Sequence, residues 1–309
     1  MRRLLMSAAM AASLVVALAG PASAITNDWR EDFEHPFVGL IAFYDEEGEF
    51  THRCTGELLS STVVLTAGHC TDDGSGGVSA SARIWFLQDV GSHFDGVSDP
   101  VTGYSDSCTG TMGNGLGIWC AESHEMYNYG FNNFAGFPNH RDLGIAILDQ
   151  PIEMDEYASL ASEGTVETLL DHRGIQDTTM RASGYGLSYR LITPPRGPNA
   201  GGANNLTVSY RVRLQADMMF NGMNGTNASG FTFSANGNGN DRGGTCNGDS
   251  GGPVFWPSTS NRVVAVSSWG VLNAGCRGNG YYYRTDRGET LDWIESVVGP
   301  ARWSEIVVN

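Results

Sequence analysis

Nine short apolar runs set the terms on which this chain can fold: FVGLIAF, TVVLTAG, ARIWFL, LGIAIL, TMRASGYG, LTVSYRVRL, PVFWP, RVVAVSSWG and GYYYRT. Each is bounded by glycine, proline, asparagine or aspartate and is rich in β-branched or aromatic residues, the composition of strands. Their number points to barrels or a sandwich of mostly antiparallel β-structure and away from βαβ units. One helix is expected at about 286–298, where Thr285 or Asp286 can cap a segment with Leu291, Ile294 and Val298 at helical spacing. A weaker helical pattern from Tyr157 to Leu170 sits where it would link two β units. The stretch from Asp72 to His140 is glycine-rich and irregular, and reads mostly as surface loops.

The first 24 residues read as an export leader: Arg2 and Arg3, an apolar run, then Ala22-Ser23-Ala24 as a cleavage site. The run is shorter than the roughly 20 residues that span a bilayer. A secreted, extracellular protein handled by the general secretory route is therefore expected. The remaining residues suffice for two β units with a sizeable core. A formal net charge of -16 excludes nucleic acid and anionic membrane as partners, since both need a basic face. All 18 basic residues are arginine, which carries no mechanistic information.

Six cysteines in an exported chain favour three disulfides. Cys54 with Cys70, Cys108 with Cys120 and Cys246 with Cys276 are neighbours in sequence, though other connectivities remain open. Zinc finds little support, because no C-x-x-C occurs and the fragment HEMYN at His124 lacks a second histidine. No metal or cofactor is expected.

Serine-based hydrolysis needs a hydroxyl, an imidazole to take its proton, a carboxylate to hold that imidazole, and backbone donors for an oxyanion. Ser250 lies in CNGDSGGPV, His69 ends VVLTAGHC, and Asp142 stands in NHRDLGIAIL just before an apolar strand. Taken singly, each has a plain structural reading: a turn serine, a histidine closing a strand, an aspartate capping one. The three in the order His, Asp, Ser, with cysteines around the first and third, resemble the trypsin and chymotrypsin family of serine endopeptidases, in its secreted bacterial form. Chain order separates this pattern from the subtilisin and α/β-hydrolase orders. Gly184-Tyr185-Gly186, Ser267-Ser268-Trp269-Gly270 and the terminal helix extend the resemblance over nearly all the mature chain.

The resemblance implies two six-stranded antiparallel β-barrels, at about 25–155 and 165–284, then the helix and a tail at 299–309. It implies His69 as general base, Asp142 as its orienter, Ser250 as nucleophile, and the N–H groups of Gly248 and Ser250 as oxyanion hole. Ser268 would bond Asp142, and Gly270 would pair with substrate. Ile25, freed by cleavage after Ala24, would place its ammonium on Asp249, although ITND lacks the family's usual I-V-G-G glycines.

The pocket base falls at Gly244, beside Thr245, with Trp269, Gly270 and Gly280 as walls. Lacking an acidic residue there, the pocket is expected to take apolar or aromatic side chains. Asp241, three residues upstream, leaves an arginine preference as the alternative. A protease-like binding protein without activity is the other alternative. The expected partners are protein or peptide substrates and protein inhibitors, for a monomer.

Overall fold

The computed structural model describes residues 25–90, 108, 120–171, 178–191, 205–208, 212–225, 227–237, 242–270, 276 and 278–309. The expected leader and Asp241 lie outside the described residues.

The first barrel is built from β1 (Val38–Tyr44), β2 (Phe50–Leu58), β3 (Val63–Thr66), β4 (Ser81–Trp85), β5 (Cys120–Ser123), β6 (Glu125–Asn128) and β7 (Gly144–Ile147). Its order is β5-β4-β1-β2-β3-β7-β6. Only His124 separates β5 from β6, so one bent strand pairs with β4 by its first half and β7 by its second. The ends of the sheet thereby meet through the chain itself, and the barrel is nearly closed. Every residue of β1 is buried, as befits a strand with neighbours on both sides and core beneath.

The second barrel comprises β8 (Thr179–Gly184), β9 (Leu214–Gly222), β10 (Thr232–Asn236), β11 (Pro253–Phe255), β12 (Arg262–Gly270) and β13 (Asn279–Arg284). Antiparallel pairing runs β8-β9-β10-β13-β12-β11 and back to β8, a closed ring with no free edge. The architecture is all-β, as the apolar runs imply.

Buried polar groups fasten the barrels together. Asp32 accepts from His35 Nδ1 at 2.9 Å and from the Ser183 hydroxyl, while Arg213 donates to Asp32 O at 3.0 Å and Val38 O at 3.0 Å. Tyr185 gives its hydroxyl to Leu87 O at 2.5 Å. These groups lie out of water, so each acceptor left without its donor would cost about 1–3 kcal/mol. The seam is specific for that reason.

Three expectations need correction. The terminal helix spans Gly288–Trp303, with a break at Gly299 (φ 76°) before Pro300, and its N-cap is Arg287 without a side-chain bond. Asp286 does not cap it, because Arg284 holds that carboxylate at 2.8 Å and the Val166 N–H donates to it at 2.7 Å. The residues expected to be tail thus begin as helix, and the chain end pairs with Leu160. Ile294 and Val298 pack into the first barrel's core cluster, drawing the chain end back across the molecule.

The pattern from Tyr157 to Leu170 is no continuous helix. Ser159–Leu160 pairs in parallel with Arg262 and Val263, and only Val166–Asp171 forms a short 3-10 turn. Finally, Cys120–Asn128 is barrel strand, not surface loop. His124 at its bend makes an exposed contact with Asp149 at 2.6 Å.

Candidate active site

Strand pairing brings the imidazole and the first carboxylate together. β3 and β7 run antiparallel with Thr66 opposite Gly144, so the chain leaving β3 and the chain entering β7 share one end of the barrel. A single turn, α1 (Gly68–Thr71), carries His69, and the Cys54–Cys70 disulfide ties it to β2. His69 Nδ1 lies 3.0 and 2.9 Å from the two oxygens of Asp142, and the His69 N–H donates to Oδ1 at 2.7 Å. A carboxylate only accepts, so Nδ1 carries the proton and Nε2 keeps its lone pair.

Asp142 is fully buried. Burial pushes its carboxyl up, but the His69 charge and the donated hydrogen bonds outweigh this and leave it lowered. His69 moves oppositely: burial depresses it, Asp142 pulls harder, and the net direction is upward. Ser268 donates to Asp142 Oδ2 at 2.5 Å. Behind Ser268 stands His140, with Nε2 3.0 Å from the Ser268 hydroxyl.

Ser250 comes from the second barrel, on a turn held at each end. Asp249 N–H bonds Cys246 O at 3.0 Å, Gly252 N–H bonds Asp249 O at 2.9 Å, and Gly251 N–H bonds Ser267 O at 2.7 Å. A disulfide joins Cys246 to Cys276, and another joins Cys108 to Cys120. Gly248 has φ 96°, a conformation that side-chain-bearing residues resist. Among the described residues, the N–H groups of Gly248 and Ser250 donate to no protein acceptor.

The first barrel reaches across to fix this turn. Thr55 on β2 takes the Tyr185 N–H at 3.1 Å, gives its hydroxyl to Gly248 O at 2.8 Å, and bonds Ser250 O through its own N–H at 2.8 Å.

Asp249 is wholly buried, with its oxygens on the N–H groups of Gly186 and Cys246, each at 2.8 Å. A Cβ on Gly186 would lie 2.5 Å from the Asp249 nitrogen, and one on Gly184 would strike the carboxylate. The G-Y-G spacing is thus a fit to Asp249.

His69 and Ser250 line one cavity of about 860 Å³ together with Gly244, Thr245, Trp269, Gly270 and Gly280. Among the described residues no hydrogen bond joins Ser250 to His69; such contacts are commonly loose until substrate binds. Three contributors escape a reading of the sequence. Tyr282 supplies ring and hydroxyl beside the pocket base, 3.1 Å from Thr245 Oγ1, and burial pushes its hydroxyl well up. Phe131 and Phe134 also line the cavity, so part of the stretch that reads mostly as surface loops faces the cleft. Signals existed in GYYYRT and GFNNF, but only strand register and loop path decide which rings turn inward. The first barrel adds Asp45, Glu46, Glu47, Asp72 and Asp73 to the rim, giving it a strongly acidic side.

The fold and this arrangement together define a class, and comparison with known proteins agrees. The family model described as Trypsin matches residues 120–294, and the chain belongs to that family. It is 28% identical over 304 residues to the Spaetzle-processing enzyme of Drosophila melanogaster, covering 87% of this chain but 64% of that protein's length. It is also 28% identical over 232 residues to fibrinolytic enzyme, isozyme C, of Lumbricus rubellus, covering 74% of this chain and 81% of the relative. These relatives are animal proteins, so the expectation of a bacterial form finds no support in them. The structure of human heparin binding protein superposes with a TM-score of 0.55 at 18% identity, covering 88% of this chain and 98% of that one. At that identity the likeness speaks to fold alone, which is chymotrypsin-like.

Proposed function

We propose that this chain is a secreted serine endopeptidase that cleaves peptide bonds through an acyl-enzyme intermediate. The supporting observation is the bond of both Asp142 oxygens to the imidazole of His69, which lines one cavity with Ser250. His69 Nε2 takes the Ser250 proton as Oγ attacks the carbonyl, then returns a proton to the leaving amine. The N–H groups of Gly248 and Ser250 receive the oxyanion, a contribution worth roughly 10²–10³ in rate per donor. Water then repeats the sequence on the acyl-enzyme.

The pocket favours apolar or aromatic side chains on the acyl side of the cut bond. Gly244 leaves room at the base and Thr245 and Tyr282 offer hydroxyls and aromatic surface there; among the described residues the carboxylates that line the cavity come from the first barrel and not from beside Gly244. Digestion of a mixed peptide library by protein beginning at Ile25 tests activity and preference together. Cleavage after Phe, Tyr, Leu or Met is the expected result; dominant cleavage after Arg counts against the pocket reading, and no cleavage against the enzyme. A binding module gains little support from the heparin-binding neighbour, since a net charge of -16 disfavours attraction of a polyanion.

Activation follows from cleavage after Ala24. Ile25 is fully buried, and Thr26 pairs with Gly244 at the pocket base, so a new ammonium would be carried into the same interior that holds Asp249. While residues precede Ile25, burial pushes Asp249 up to about 7 against the two backbone donors. Its folded value then exceeds its unfolded one, so its contribution to stability is full in acid and is lost as pH rises from about 4 through 7. N-terminal sequencing of exported protein should begin at Ile25. A variant with one extra residue there should be inactive and unfold in less denaturant at pH 8 than at pH 5, a trend absent from the cleaved form.

A further inference from the structure

His140 is fully buried, yet nothing in the triad chemistry asks for a second imidazole. Its ring is fixed on several sides: parallel to Phe137 at 5.8 Å, edge-on to Tyr283 at 5.3 Å, tilted against Phe134 at 5.2 Å. Its nitrogens face Ser268 Oγ at 3.0 Å and Pro138 O at 3.2 Å.

Proton counting fixes the direction of its contact with Ser268, while Pro138 O, which also only accepts, competes for a ring proton at the longer distance. Ser268 has one hydroxyl proton, and at 2.5 Å from Asp142 Oδ2 that proton goes to the carboxylate, which can only accept. The His140 contact must then be a donation from Nε2–H to Ser268 Oγ. A continuous line results: His69, Asp142, Ser268, His140, with imidazoles at both ends of one carboxylate.

We infer that His140 is a positioning residue acting through Ser268: its Nε2–H polarises the Ser268 hydroxyl, strengthens the bond to Asp142, and thereby limits how tightly Asp142 holds the proton on His69. Hydrogen bonds in such a chain reinforce one another. The neighbours pull both ways, and the Pro138 carbonyl favours a proton on Nδ1 as well. Asp142 attracts a proton to His140, His69 on α1 repels one, and Arg141 stacks over Tyr129. The Tyr283 hydroxyl is spent on Asn139 at 2.9 Å. Burial is the largest influence and moves His140 downward.

The inference rests on the protease reading for its consequence, not for its geometry. Two readouts therefore test it: the acid limb of kcat/KM against pH, and NMR titration of the His69 ring, which needs no activity. His140→Leu removes the donor, so Asp142 grips the His69 proton harder. Both midpoints should move to higher pH by about half a unit, lowering activity on the acid limb roughly threefold. His140→Gln, whose amide reaches the same place as Nε2, should restore the wild-type midpoint. Should the leucine variant not fold, His140→Asn, too short to reach Ser268, replaces it. An unshifted His69 midpoint overturns the inference, as does an equal shift in the glutamine variant, which would indicate packing alone. A moved NMR midpoint in a chain that cuts no peptide would instead overturn the protease reading and leave this one standing.

Discussion

Turnover of any peptide by Ser250→Ala should fall by about 10⁶, the scale on which a hydroxyl nucleophile fails when its unit is broken. Stability should hardly change. The bonds that shape the turn use backbone groups: Ser250 O accepts from Thr55, Gly251 N–H reaches Ser267 O, and Asp249 keeps the N–H groups of Gly186 and Cys246. Alanine keeps all of these and frees only Oγ, which has no partner among the described residues. Single-turnover kinetics beside a thermal melt checks both halves. Retention of even one part in a hundred of the activity, with contamination excluded by loss of phosphonate labelling, would mean that another group attacks.

Asp142→Asn should cost about 10⁴ in kcat, the scale expected when the carboxylate that holds an imidazole base in its working tautomer becomes an amide. The present geometry supplies the reason. Oδ1 takes the His69 N–H at 2.7 Å, Oδ2 takes the Ser268 hydroxyl at 2.5 Å, and Nδ1 of His69 shares both oxygens. An asparagine must put an N–H₂ where one oxygen stood. If it faces the imidazole, Nδ1 can only accept, the proton passes to Nε2, and the base is lost. If it faces Ser268, that hydroxyl must turn about and His140 loses its acceptor. Measurement of kcat across pH, with NMR of the ring protons, separates these outcomes. A loss below tenfold would show that Asp142 does not set the tautomer.

The parts of the molecule that sequence makes legible are those whose chemistry is local. A histidine beside a cysteine, a serine between glycines, and strands with long apolar runs, such as Val38–Tyr44 and the Val263–Val266 part of Arg262–Gly270, announce themselves. Phe50–Leu58 does not, because His52, Arg53 and Glu57 interrupt its pattern, although the Cys54–Leu58 half is buried. Cys120–Asn128 hides for another reason: its bend at His124 switches neighbours, and no periodicity survives the switch. Thr285 and Asp286 look like helix caps until the bond from the distant Val166 N–H to Asp286 is known. Tyr282 and His140 are legible as residues but not as site components, since their orientation depends on register across strands far apart in sequence.

Thr55 gives the molecule a property that neither half possesses. The proposed base and orienter, His69 and Asp142, belong to one barrel and the proposed nucleophile, Ser250, to the other, yet the turn of Ser250 is pinned by a threonine of the opposite barrel. The cleft is therefore a joint whose alignment depends on the whole seam, including the buried contacts of Asp32, Tyr185 and Arg213. A molecule wedged into that joint from behind would disarm it as surely as one that filled the pocket, without ever competing with a substrate.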